Sequence, residues 1–179
     1  MDARVVAITT IVGALTIWAV WFAARAWRVW RAKGGPRVVT CPETGRSALV
    51  TIDVALAVTG SSGSDAAPLC ACSRWDERGP CAQPCLHQAH DAATAPGALV
   101  RAWADGRACA TCARTLAPSG FGGHQPALLQ TDGTTREWAD VPPEQLPLAL
   151  ATSLPVCWNC HMASTFRRQH PELVTDRDI

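Results

Sequence analysis

Two four-residue stretches, Cys109-Ala-Thr-Cys112 and Cys157-Trp-Asn-Cys160, constrain this chain more than any other feature. A C-x-x-C pair on one tight turn lets two sulfurs reach the same ion. Two such pairs supply a tetrahedral four-sulfur set of the kind that suits zinc or iron. A set whose four positions are all filled by protein leaves no place for water or substrate, so it points to structure and away from catalysis.

Whether cysteines hold metal or pair as disulfides depends on compartment, and the N-terminus bears on that. Residues 5–24 (VVAITTIVGALTIWAVWFAA) carry no charged side chain. About 20 helical residues rise about 30 Å, the thickness of a bilayer core. A buried soluble helix and a signal peptide cleaved near Ala24-Arg25-Ala26 are the competing readings. The apolar run is long for a signal peptide and is preceded only by Arg4 and the compensating Asp2, which favours an uncleaved anchor. Arg25, Arg28, Arg31, Lys33 and Arg37 follow with no acid among them, so the positive-inside rule places the C-terminal part in the cytoplasm. Trp18, Trp21, Trp27 and Trp30 gather near that end, where indoles favour headgroup depth. The basic flank is first a topology signal, with anionic-lipid binding as the alternative.

On the reducing side of a membrane the nine cysteines are expected as metal thiolates, not cystines. Small lobes with thin apolar cores lean on such staples. A formal net charge of +1 offers nucleic acid no bulk attraction.

Gly34-Gly35-Pro36 ends the anchor. A β-prone stretch at 37–40 delivers Cys41, and Cys41-Pro-Glu-Thr-Gly45 reads as a metal-knuckle turn. Residues 47–52 alternate as a strand, Asp53 caps a short helix to about Val58, and 59–68 form a loop. The segment then carries Cys70, Cys72, Cys81 and Cys85. Cys41, Cys72, Cys81 and Cys85 are expected to form a second metal site, with Cys72 preferred over Cys70 and Cys70 left as a small apolar filler. His87 and His90 are surface residues in this reading, with substitution as ligands the alternative. Residues 96–105 have helical spacing, with Leu99, Val100 and Trp103 on a core-facing side. The 118–123 segment (PSGFGG) is a turn, and a hairpin joins strands at 126–130 and 135–138 through Asp132-Gly133. Pro142 to Pro147 start a short helix or turn. A last helix spans 161–170, with Phe166 toward the core and Arg167 and Arg168 outward.

The order knuckle, hairpin, then cysteine pair opening a helix resembles the treble-clef zinc finger over roughly 107–170. Within that group, Cys157-Trp-Asn-Cys160-His161 is similar to the end of an HNH-type module, with His124 at the place of the central histidine. That resemblance implies a hydrolase in which His124 activates water and His161 helps hold a divalent ion. It is a degenerate match, because Gly123 stands where the family has an acid. The soluble part also resembles a group of bacterial inner-membrane-anchored, cysteine-rich proteins with a CPxTG turn, a CSRW segment and a C-terminal PVCWNCH helix, which implies no activity. A further reading takes Cys157-Trp-Asn-Cys160-His161 as a C-x-x-C-H signature for c-type haem, with His161 as axial ligand. Iron or iron–sulfur at the cysteine quartets is another.

The expected architecture is therefore α+β: a single-pass anchor with its basic flank at 1–33, a first metal-binding lobe at 37–95, and a treble-clef-like lobe at 96–179. Two zinc sites staple it, at Cys109, Cys112, Cys157 and Cys160 and at Cys41, Cys72, Cys81 and Cys85. The expected function is an interaction or assembly module, a subunit of a membrane complex with the bilayer and a protein as partners. A haem or iron electron carrier and a degenerate hydrolase are the alternatives.

Overall fold

The computed structural model describes residues 3–59, 67–117 and 124–173. The expected loop at 59–68 lies mostly, and the turn at 118–123 wholly, outside the described residues. The first element, α1 (Ala3–Lys33), is a helix of 31 residues. It is long and apolar enough to cross a membrane, and the span is not buried against the rest of the protein. Gly34 donates to the Trp30 carbonyl at 2.7 Å. A Cβ there would lie 2.3 Å from that oxygen, so only glycine lets the chain leave the helix by this route.

The chain turns directly into β1 (Pro36–Thr40), which pairs antiparallel with β2 (Ser47–Ile52); β2 pairs in turn with β3 (Leu69–Cys72). Alternation along β2 buries Ala48, Val50 and Ile52. With Val39, Leu69 and Ala89 they form the first apolar core. Between β2 and β3 lies α2 (Val54–Thr59), whose start is capped by Asp53 accepting from the Leu56 amide at 3.0 Å. After β3 come two single-turn helices, α3 (Trp75–Arg78) and α4 (Leu86–Ala89).

The remainder begins with α5 (Pro96–Ala104), which opens on proline at its first position, where no amide partner is lost. Its Val100 is fully buried, with Leu99 and Trp103 packed beside it as the spacing predicts. A second antiparallel sheet has the order β5-β4-β6, from β4 (Ala127–Leu129), β5 (Thr135–Arg136) and β6 (Leu154–Val156). Thr131-Asp-Gly-Thr134 makes the β4–β5 turn, as its composition demands. The return strand is shorter than predicted: after Arg136 the chain coils into a 3-10 turn at Trp138–Asp140. The proline-punctuated stretch yields α6 (Leu146–Thr152), whose Leu146 and Leu150 join Val100 and Leu128 in a second core. The last helix, α7 (Trp158–Gln169), starts three residues before the predicted position. Its Phe166 is exposed, a correction to the expected inward orientation. The side of α7 that is covered faces β5, where His161 meets Thr135, and Phe166 lies off it. The chain is thus a mixed helix-and-sheet protein with a long apolar N-terminal helix.

Candidate metal centre

The Cys109 turn is a compact knuckle. Cys109 donates its amide to the Arg114 carbonyl at 2.9 Å, and the Ala113 amide returns to the Cys109 carbonyl at 2.9 Å. Closing this ring puts Ala113 at φ +59, a left-handed conformation that a Cβ makes costly. The turn is fixed to the second sheet, since the Ala110 amide donates to the Pro155 carbonyl of β6 at 2.9 Å. The same strand leads straight to Cys157, the residue that precedes α7, and Cys160 falls in that helix's first turn. The two C-x-x-C pairs therefore meet through β6.

The sulfurs of Cys109, Cys112, Cys157 and Cys160 all lie within 4.8 Å of one another. Those of Cys112 and Cys157 are 3.8 Å apart. Four sulfurs about 2.3 Å from a central zinc would be separated by about 3.8 Å. Both the donor chemistry and the spacing fit a tetrahedral thiolate ion. Cys109 and Cys157 are buried, Cys160 is half-buried and Cys112 is exposed.

Electrostatics at the quartet are uneven. Burial works against ionising Cys109, but the amides of Cys157, Cys112 and Thr111 aim at its sulfur and bring its pKa down to about 6. The Cys157 amide donates to that sulfur at 3.3 Å. Cys157 and Cys160 are pushed the other way, by burial first and then by the neighbouring sulfurs. Ionisation is thus favoured at Cys109 and disfavoured at Cys157 and Cys160. A divalent ion would discharge those protons on entering.

His161 follows Cys160 and is buried. Its Nδ1 lies 2.8 Å from the Thr135 hydroxyl, and its Nε2 is 3.8 Å from the Glu137 carboxylate. His124 is elsewhere engaged, stacked flat on Trp158 with ring centres 4.5 Å apart. A cavity of about 270 Å³ beside that stack is lined by His124, Gln125, Glu137 and Trp158, and His161 does not reach it.

The other predicted ligands, Cys41, Cys72, Cys81 and Cys85, line one small hollow of about 30 Å³. Burial raises the Cys85 thiol, and like charge at Cys72, Cys81 and Cys41 adds to the effect. The mutual 4.8 Å closeness is met, among the described residues, only at the Cys109 quartet. Cys70 is exposed, with its sulfur 3.5 Å from the Thr51 carbonyl, and is not the apolar filler expected. His87 is exposed with its Nδ1 near the Pro84 carbonyl, while His90 is half-buried with Nε2 3.0 Å from the Ala67 carbonyl; neither lines the hollow. All nine cysteines are free thiols. No known protein family, curated protein or solved structure matches the chain.

Proposed function

We propose that this protein is a single-pass membrane protein whose cytoplasmic part is stapled by zinc at Cys109, Cys112, Cys157 and Cys160 and serves as an interaction module within a membrane complex. The observation that carries this is the closed four-sulfur geometry at a helix start. It is saturated by protein ligands, so the ion's role is to join the 109–114 turn, β6 and α7. The treble-clef resemblance is supported by the same order: knuckle, β4–β5 hairpin, then Cys157 at the entry to α7. Anchoring rests on α1 and its basic flank. Exposed Met162 and Phe166 on α7, with Leu148 on α6, offer apolar contacts to a partner.

The geometry favours zinc over haem. An axial His161 would have to leave Thr135 and the buried site between β5 and α7. The thioether reading also leaves Cys109 and Cys112 without a role, although their sulfurs complete the cluster. The hydrolase reading lacks a metal-binding cluster of its own: His124 and His161 both lie against Trp158, but among the described residues only the four cysteines gather their ligand atoms within 4.8 Å.

Metal analysis and a visible spectrum of the full chain in detergent test the reading. A colourless protein with zinc bound is expected. A Soret band, or a brown colour bleached by dithionite, would replace it with the haem or iron carrier. Metal-dependent hydrolysis lost in His124→Ala while zinc is retained would replace it with the enzyme.

A further inference from the structure

The Cys41 and Cys109 turns share one backbone. In the first, the Cys41 amide donates to the Arg46 carbonyl at 2.9 Å and the Gly45 amide returns to the Cys41 carbonyl at 2.8 Å. These are the same two bonds, at the same spacing, that close the Cys109 turn. The fifth residue is left-handed in both, Gly45 at φ +65 and Ala113 at φ +59. The difference is the fourth residue, Thr44 in one and Cys112 in the other. The Cys41 knuckle therefore offers one sulfur where its counterpart offers two.

Three more sulfurs reach the same hollow by devices specific to this region. Strand alternation alone would put Leu69 and Cys72 on opposite faces, three residues apart. The β2–β3 register breaks between Thr51 and Ile52, which pair with Ala71 and Leu69, leaving Cys70 as the extra residue of a bulge. The bulge resets the alternation: Leu69 is buried in the core, Cys70 is turned out, and Cys72 lines the hollow. Two glutamines then hold the remaining pieces. Gln83, between Cys81 and Cys85, accepts from the Leu69 amide at 2.9 Å and donates to its carbonyl at 3.5 Å. Gln88 on α4 accepts from the Thr40 amide and donates to its carbonyl, both at 3.0 Å. Each side-chain amide pairs with a strand backbone as another strand would. One fixes the Cys81–Cys85 turn to the strand of Cys72, and the other fixes α4, which follows Cys85, beside Cys41.

We propose that Cys41, Cys72, Cys81 and Cys85 hold a second thiophilic divalent ion, zinc on the reducing side of the membrane, with Gln83 and Gln88 as the positioning residues that keep its two halves in register. Binding draws the four sulfurs inward around the hollow. This deepens the reading above and shares its reducing compartment, but uses different residues.

The test is zinc content of the full chain purified in detergent under reductant. The wild type should carry about two ions per chain, Cys72→Ser about one, and Cys70→Ser about two. Gln88→Ala should weaken the second ion about 10- to 100-fold in chelator competition and leave the first unchanged, which a general loss of stability would not do. About one ion in the wild type, lost in Cys112→Ser and unchanged in Cys72→Ser, overturns the second site and leaves the first standing. No loss in Cys112→Ser overturns the first instead. Should Cys72→Ser not fold, alkylation of the folded wild type decides: fast reaction at Cys70 with Cys72 and Cys81 protected supports the site, and equal rates at all three overturn it.

Discussion

The Cys109 turn brings two sulfurs on a knuckle tied by a hydrogen bond to β6, and the second pair follows at the end of that strand. The Cys41 turn has the same hydrogen bonds but a threonine in place of the second cysteine. Its partners come from a bulged strand, a left-handed turn at Gln83 and the residue that precedes a helix of a single turn. The first arrangement has its four sulfurs within 4.8 Å of one another before any ion is considered. The second leaves them around a hollow. Ligands that are neighbours in sequence are pre-positioned by local backbone. Ligands contributed singly must be aligned by long-range contacts, here the amides of Gln83 and Gln88.

Breaking the better-formed centre should have the largest effect. Cys157→Ser removes a buried member of the quartet, and the zinc proposed there would contribute on the order of 10 kcal/mol to folding. Loss of zinc and of the thermal transition of the 96–173 region, followed by circular dichroism, is the expected outcome. Next, the difference between the turns can be exchanged. Thr44→Cys added to Cys72→Ser should restore about one zinc ion by giving the Cys41 knuckle its second sulfur. Unchanged zinc would mean that the two turns are alike in backbone only.

The left-handed positions give a smaller, reciprocal pair. Gly45→Ala should cost about 1 kcal/mol and Ala113→Gly should gain up to about 1 kcal/mol, read as opposite shifts in Tm. Space is not the cause at Gly45, where a Cβ would meet nothing within 4 Å. The smallest effect belongs to the metal-free β4–β5 turn. The Thr134 amide and hydroxyl hold the Asp132 carboxyl below the ordinary carboxylate range. A depressed folded-state pKa means stability that is complete above the ordinary value and lost as pH falls through the lowered one. Asp132→Ala should remove that acid-side dependence and lower Tm less than Gly45→Ala does.

Much of this was legible locally. The C-x-x-C spacings announced the Cys109 quartet, Asp132-Gly133 announced its hairpin, and Asp53 and Pro96 marked their helix starts, because each signal lies within a few residues of its effect. The preference for Cys72 over Cys70 had no such basis. Which of the two lines the hollow follows from a bulge, and a bulge depends on the partner strand's register. Gln83 and Gln88 passed unnoticed because a surface glutamine looks the same whether solvated or bonded across about 14 or 48 residues of chain. Phe166 is exposed although its spacing points inward, because periodicity gives a helix an apolar side but does not say what covers it.

Arg37 lies at the base of β1, almost wholly buried, and its guanidinium donates to the Ala32 carbonyl at 2.8 Å. Arg25 reaches the Val58 carbonyl at 3.3 Å. With only Gly34 and Gly35 between α1 and β1, there is no slack for the domain to swing on a tether. A tilt of the long helix is carried into the first sheet as a lever carries its load. Under the proposed anchoring, the height at which the cysteine-bearing turns stand above a bilayer follows from the depth at which the tryptophans of α1 settle.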